Sequence, residues 1–169
     1  GGQVSDPLTT RSVTSVFPEA KHLDMARIAS VGAVDPIALL PHRPPFRFVD
    51  AVDELDAGAR VRARYLVTGE EAFLAGHFPG NPVFPGVIQL EALAQAGAIA
   101  VLADERYAGK LPLFGGVEDV RFRRIVRPGD ELVLDVTMER LSARGGWGRA
   151  RATVGDDETC RARLLFALA

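Results

Sequence analysis

The stretch GVIQLEALAQAGAIAVLAD, residues 86–104, is the most apolar part of the chain, and alanine supplies much of it. A run of this length and composition predicts an α-helix. Because the apolar residues go all the way around the helix instead of forming one stripe, we expect protein to cover it on nearly every side. Gln89, Glu91 and Gln95 interrupt the run, so the helix is too polar to span a bilayer. The fold is therefore expected to be built around it.

The segments on either side of this helix have the pattern of antiparallel strands. A strand-like stretch begins at Phe46, and between Arg60 and Val67 apolar side chains alternate with arginines, which indicates one buried and one solvated face. Four more strands, separated by Gly-, Pro- and Asp-containing turns, are predicted at residues 114–124, 131–141, 148–154 and 160–168. The predicted fold class is α+β, with a long central helix wrapped by a curved antiparallel sheet.

The 169 residues are expected to form one domain with an extension before it. Residues 1–33 show no sustained period, so we interpret them as a loosely ordered N-terminal extension that opens on a tag remnant, Gly1-Gly2. Residues 34–169 are the predicted folded domain. It starts at Asp35-Pro36, where Asp is a favourable N-cap and Pro a favourable first residue of a short helix.

Composition narrows the classes of function. The net charge of −2 gives no general basic field for attracting nucleic acid. The single cysteine, Cys160, is interpreted as a small core residue; it cannot form an internal disulfide, and no Cys/His cluster has zinc spacing. No apolar leader is visible. We therefore expect a cytoplasmic protein without a metal site, a nucleic-acid partner or a membrane partner.

The loop AGHFPGNPVFPG, residues 75–86, combines rigid Pro and Gly positions with apolar side chains, and it carries the candidate site. A neutral imidazole at His77 suits a general base, and a carboxyl group at Glu91 in apolar surroundings favours the protonated form that can donate a proton. The backbone N–H of Gly86, at the helix N-terminus, suits a developing oxyanion. Taken singly, His77 could equally be an ordinary loop histidine, and Glu91 a helix acid paired with an arginine.

Several motifs occur in a set order over roughly residues 37–169. They are Leu40-Pro41-His42-Arg43, Gly76-His77-Phe78-Pro79-Gly80, Phe84-Pro85-Gly86-Val87, Leu90-Glu91-Ala92, Ala94-Gln95, Arg121-Phe122 and Pro128-Gly129-Asp130. This order resembles the FabZ-type 3-hydroxyacyl-(acyl-carrier-protein) dehydratases, which have a single hotdog fold. The resemblance implies that His77 and Glu91 form a catalytic pair across a dimer interface and that Gly86 supplies the backbone donor.

The same resemblance implies a reaction and its partners. A hydro-lyase of this family converts a 3-hydroxyacyl thioester to the trans-2-enoyl thioester in fatty-acid or polyketide-type biosynthesis. It needs no cofactor beyond the 4′-phosphopantetheine arm of the acyl carrier protein. A homodimer or dimer-based oligomer is expected, and a heteromer with a related chain stays open. Glu rather than Asp at position 91 resembles the plain dehydratases more than the dehydratase/isomerases.

Two further interpretations concern residues outside the pair. Four arginines, Arg121, Arg123, Arg124 and Arg127, are either the solvated face of a strand or a dock for an acidic carrier protein and its phosphopantetheine phosphate. His42, within Pro-His-Arg-Pro-Pro, is interpreted as the anchor of a turn.

Two other functions are compatible with the same fold. One is a hotdog thioesterase, in which a carboxylate attacks the thioester or activates water. The other is a partner subunit that binds acyl carrier protein without turnover, which the presence of both His77 and Glu91 makes the weaker alternative.

Overall fold

The computed structural model describes residues 35–169, so the predicted N-terminal extension, residues 1–33, lies outside the described residues. One α-helix and six strands make up most of this part of the chain. They are β1 (Ala51–Asp56), β2 (Arg60–Leu66), α1 (Gly86–Leu102), β3 (Pro112–Phe122), β4 (Glu131–Ser142), β5 (Gly145–Val154) and β6 (Asp157–Leu168). Short 3₁₀ turns occur at Pro36–Leu39, Ala72–Ala75 and Glu105–Tyr107. No helix in residues 35–169 is long and apolar enough to cross a membrane.

The six strands form one antiparallel sheet in the order β1-β2-β4-β5-β6-β3. The predicted central helix and antiparallel sheet are confirmed, and the predicted cap is present, since Asp35 Oδ1 accepts the N–H of Ile37. The strand expected from Phe46 starts only at Ala51. The reason is a tertiary contact: the N–H of Phe48 donates to the side chain of Gln95 on α1, so this backbone bonds to the helix instead of a strand.

Helix α1 is enclosed as its composition predicted. Ala92, Leu93, Ala96, Ile99 and Ala100 are completely buried. Small residues allow the sheet to approach closely. The tightest approach is at Gly97, where a methyl group would overlap the buried ring of Phe166 on β6.

The first turn of α1 reaches the surface beside the edge strand β3, with Val87 exposed, and Glu91 in the second turn is partly exposed. Large apolar side chains are exposed in this region of the fold. They are Phe78, Val87, Leu113, Phe114, Val117, Phe122 and Ile125. An unpaired strand edge next to exposed apolar side chains is typical of a surface that a second chain covers.

Candidate active site

The loop before α1 fixes the imidazole of His77. Its N–H donates to the carbonyls of Phe73 and Leu74, which anchors His77 to the 3₁₀ turn Ala72–Ala75. On the ring, Nδ1 lies 2.6 Å from the carbonyl oxygen of Val83. A carbonyl can only accept, so Nδ1 carries the hydrogen and the neutral ring keeps its lone pair on Nε2. The loop thus holds His77 in the tautomer that a general base at Nε2 requires.

A cleft of about 480 Å³ lies beside this imidazole, and Gly86, Gln89 and Phe122 contribute to its walls. Gly86 is the first residue of α1, so its N–H has no partner within the helix. A Cβ there would lie 2.8 Å from Cε1 of Phe122, so the ring of Phe122 packs directly against the start of the helix. The predicted base and the predicted backbone donor therefore line one cleft.

Glu91 is held by a glutamine one helical turn away. Gln95 is 1% exposed; its Oε1 accepts the N–H of Phe48 at 2.7 Å, and its Nε2 donates to the carbonyl of Phe46 at 3.1 Å. The same Nε2 donates to Glu91 Oε1 at 2.8 Å. Gln95 therefore fixes the carboxyl group of Glu91 and the loop over it together.

His42 is the residue whose position the sequence did not indicate. Its Nε2 lies 3.5 Å from Glu91 Oε1, so the ring lies against the candidate carboxyl group. The interpretation of His42 as a turn anchor stays a prediction, and Glu91 has more polar neighbours than its apolar helix suggested. No local pattern links positions 42 and 91, because the contact depends on how the loop crosses α1.

Within the described part of one chain, no hydrogen bond or ion pair joins His77 to Glu91. Residues two positions apart on a helix point about 200° apart around its axis. Gln89 lines the His77 cleft, and Glu91 therefore leaves α1 on a different side. One chain presents the base and the carboxyl group at two separate places, and the pairing of the two stays a prediction.

The four candidate docking arginines differ in their partners. Arg123 pairs with Glu158 at 2.9 Å, and Arg124 pairs with Asp130 at 3.3 Å. Arg127 donates to the neutral side chain of Asn81, and Arg121 donates to the carbonyl of Val120. Two of the four arginines thus contact a carboxylate of this chain, and the one at Glu158 is shared with Arg151 and Arg161.

A cysteine thiol and a cluster of metal-ligating side chains are the other groups that could form a site. Cys160 is completely buried, and burial, with a smaller contribution from Glu158, raises the pKa of its thiol to about 12. It is a core residue, as its sequence position suggested. Residues 35–169 contain no group of three or more His, Cys, Asp or Glu side chains that could hold a metal ion.

Comparison with known proteins shows which proteins this chain is similar to. The FabA-like domain family model matches residues 40–163. The chain is 53% identical over 132 residues to the 3-hydroxyacyl-[acyl-carrier-protein] dehydratase FabZ of Chloroflexus aggregans, covering 78% of this chain and 92% of that protein. It is 55% identical over 130 residues to the protein of the same name from Oenococcus oeni, covering 77% and 94%.

A solved structure shows the same fold at low sequence identity. The dehydratase heterocomplex ApeI:P from Xenorhabdus doucetiae matches with a TM-score of 0.70 and 17% identity, covering 82% of this chain and 93% of that one. The predicted single hotdog fold is confirmed.

Glu71 stabilises the chain segment that leads to His77. Its carboxylate accepts hydrogen bonds from the hydroxyl of Tyr65 at 2.9 Å and from the N–H groups of Thr68 and Gly69 at 3.0 and 2.8 Å. Burial raises the pKa of Glu71, but the hydrogen bonds from its own backbone, Thr68, Tyr65 and Gly69 together lower it by more, so the pKa lies below the ordinary 4.5. Glu71 directly precedes the 3₁₀ turn that leads to His77.

We expect Glu71→Gln to lower the free energy of unfolding at pH 7 by about 1 to 2 kcal/mol, because the accepted hydrogen bonds lose a charged partner. A depressed carboxylate pKa stabilises the fold above its unfolded-state value, and this stabilisation disappears as pH falls through the folded-state value. The difference from wild type, measured by thermal unfolding, should therefore shrink below pH 4.5. Glu70→Gln is the matched control, since its side chain is exposed. A difference that stays constant with pH would contradict this assignment.

Proposed function

Because this chain belongs to the FabA-like family and, within it, to the FabZ-type dehydratases, we propose that it removes water from a 3-hydroxyacyl thioester on an acyl carrier protein, in fatty-acid biosynthesis. The product is the trans-2-enoyl thioester. The observation that carries the proposal is 53% identity across 92% of a dehydratase. The tautomer of His77 supports it independently. Nε2 can accept a proton, because the loop uses only Nδ1 to hold the ring.

In the proposed reaction, the thioester carbonyl accepts a hydrogen bond from the N–H of Gly86. His77 Nε2 takes a proton from C2, and the electrons of that C–H bond form the C2–C3 double bond. The C3–O bond breaks as Glu91 gives its proton to the departing hydroxyl, which leaves as water. The proton on His77 then returns to Glu91 by way of solvent, so the enzyme ends as it began. These transfers need no cofactor beyond the 4′-phosphopantetheine arm.

We propose further that each site combines His77 of one chain with the carboxyl group at position 91 of a second chain. The separate directions of Gln89 and Glu91 on α1 support this arrangement. The exposed apolar side chains near β3 supply a surface for a homodimer or a dimer-based oligomer. A heteromer with a related chain would use the same surface.

The carrier protein is proposed to dock beside the cleft through the arginines of residues 121–127. Arg121 and Arg127 are the stronger candidates of the four, since carboxylates of this chain already pair with Arg123 and Arg124. A cytoplasmic location, expected from the single cysteine, stays a prediction. The relatives favour dehydration over the thioesterase and over the non-catalytic subunit.

The test of the reaction is incubation with a 3-hydroxyacyl carrier thioester, followed by mass spectrometry. Wild type should remove one water and leave the thioester intact. His77→Ala and Glu91→Gln should each lower turnover by about 10²- to 10⁴-fold without changing the circular dichroism spectrum, since each removes one proton-transfer group. Release of free thiol would identify a thioesterase instead. A folded wild type that changes no substrate would indicate a non-catalytic subunit.

Mixing the two inactive variants tests where the site lies. If His77→Ala and Glu91→Gln chains are co-expressed and pair at random, about half of the dimers are mixed. With cross-chain sites, each mixed dimer has one intact site and one doubly damaged site, so about a quarter of wild-type activity should return. With sites inside one chain, every site carries one lesion and no activity returns. Gel filtration of differently tagged chains verifies that mixed dimers form.

Charge reversal tests carrier docking. We expect Arg121→Glu with Arg127→Glu to raise the KM for a carrier-bound substrate roughly 2- to 30-fold and to leave the KM for a short pantetheine thioester unchanged. The effect should weaken as salt is raised, because exposed charges are screened over about 8 Å at physiological ionic strength. The control is Arg140→Glu with Arg144→Glu, two arginines that line a different cleft. Equal effects on both substrates would overturn the docking role.

A further inference from the structure

Gln89 is a buried polar residue whose carbonyl has no donor. Its side chain is 3% exposed, and in the described part of the chain no group lies within hydrogen-bond distance of Oε1. It lines the same cleft as His77 and Gly86. Gln89 therefore contributes to the wall of the proposed substrate cleft, while its unpaired Oε1 has almost no exposed surface, so a ligand reaches it only when the side chain rotates toward the cleft.

The other buried glutamine of α1 shows that this arrangement is not a general property of the helix. Gln95 is equally buried, but its amide makes three hydrogen bonds, to Phe46, Phe48 and Glu91. A buried acceptor without a donor lowers stability, and an apolar side chain of similar size would avoid that loss. Packing alone does not explain a glutamine at position 89.

The chemistry of the proposed substrate offers two donors to such an oxygen. A carrier-bound 3-hydroxyacyl thioester has the hydroxyl on C3 and an amide N–H in the arm. Gln89 lies three residues beyond Gly86, so the two are neighbours on one face of α1. It is also more buried than Gly86. The arm must lead outward to the carrier, whereas the acyl chain continues inward, so the C3 hydroxyl is the donor on the Gln89 side.

We propose that Gln89 is a specificity-determining residue whose amide rotates toward the cleft on binding and accepts a hydrogen bond from the C3 hydroxyl of the acyl chain. This inference rests on the proposed function. The hydroxyl hydrogen then points to Gln89, which leaves the oxygen lone pairs free to receive the proton from Glu91. The enoyl product lacks this hydroxyl, so the site holds the substrate more tightly than the product.

The experiment compares Gln89→Met with wild type, using 3-hydroxyacyl pantetheine amides and the matching saturated acyl pantetheine amides as ligands. The amide replaces the thioester, so neither ligand is turned over. We expect the Kd of the hydroxylated ligand to rise about five- to tenfold, which corresponds to one hydrogen bond, and the Kd of the saturated ligand to stay unchanged. The melting temperature should rise by about 2 to 4 °C, since an unpaired buried group is removed. Ile88→Met on the neighbouring position is the matched control.

Each other result overturns the assignment. Equal weakening of both ligands would mean that Gln89 only shapes the cleft, and no weakening of either would mean that it does not contact the hydroxyl. If Gln89→Met no longer forms the dimer on gel filtration but still binds the hydroxylated ligand as wild type does, Gln89 bonds to the partner chain and not to the hydroxyl. The outcome is separate from the proposed function, which fails only if wild type does not dehydrate the carrier thioester.

Discussion

The close fit of one helix inside one sheet is the constraint on which the other features depend. Helix α1 is buried along almost its whole length, and the overlap that a methyl group at Gly97 would make with Phe166 shows how little space separates the layers. A helix enclosed in this way can present functional groups only in the first two turns at its N-terminal end, where Gly86 and Glu91 are partly exposed. The cleft, the imidazole and the free N–H of Gly86 all lie at that end because the rest of α1 is inaccessible.

Backbone groups do much of the positioning at this open end. The carbonyl of Val83 orients His77, and the backbone of Phe46 and Phe48 orients Gln95, which in turn holds Glu91. Main-chain partners cannot rotate away as a side chain can. The proposed proton-transfer groups therefore keep their geometry before substrate arrives, which is the preorganisation that catalysis by fixed groups requires.

The sequence predicted the features that depend on local pattern. The composition of residues 86–104 indicated the enclosed helix, alternation indicated the strands, and the Gly-Pro loop drew attention to His77. Contacts between segments that are far apart in the sequence could not be predicted from local pattern. Neither the approach of His42 to Glu91 nor the pairing of Arg123 with Glu158 follows from any repeat or spacing. The unpaired oxygen of Gln89 was likewise invisible, because the sequence shows that a residue is polar but not whether a partner is present.

The hydrogen bond between His77 and Val83 also restricts the route by which protons can move. An imidazole with both nitrogens accessible can act as a relay, receiving a proton on one side and releasing it on the other. Here Nδ1 is hydrogen-bonded to a backbone carbonyl, so Nε2 is the nitrogen that can exchange a proton with a ligand. Any proton that arrives at Nε2 has to leave from Nε2, through the mouth of the cleft. His77 therefore exchanges protons on the cleft side of its ring and not through the protein interior behind Nδ1.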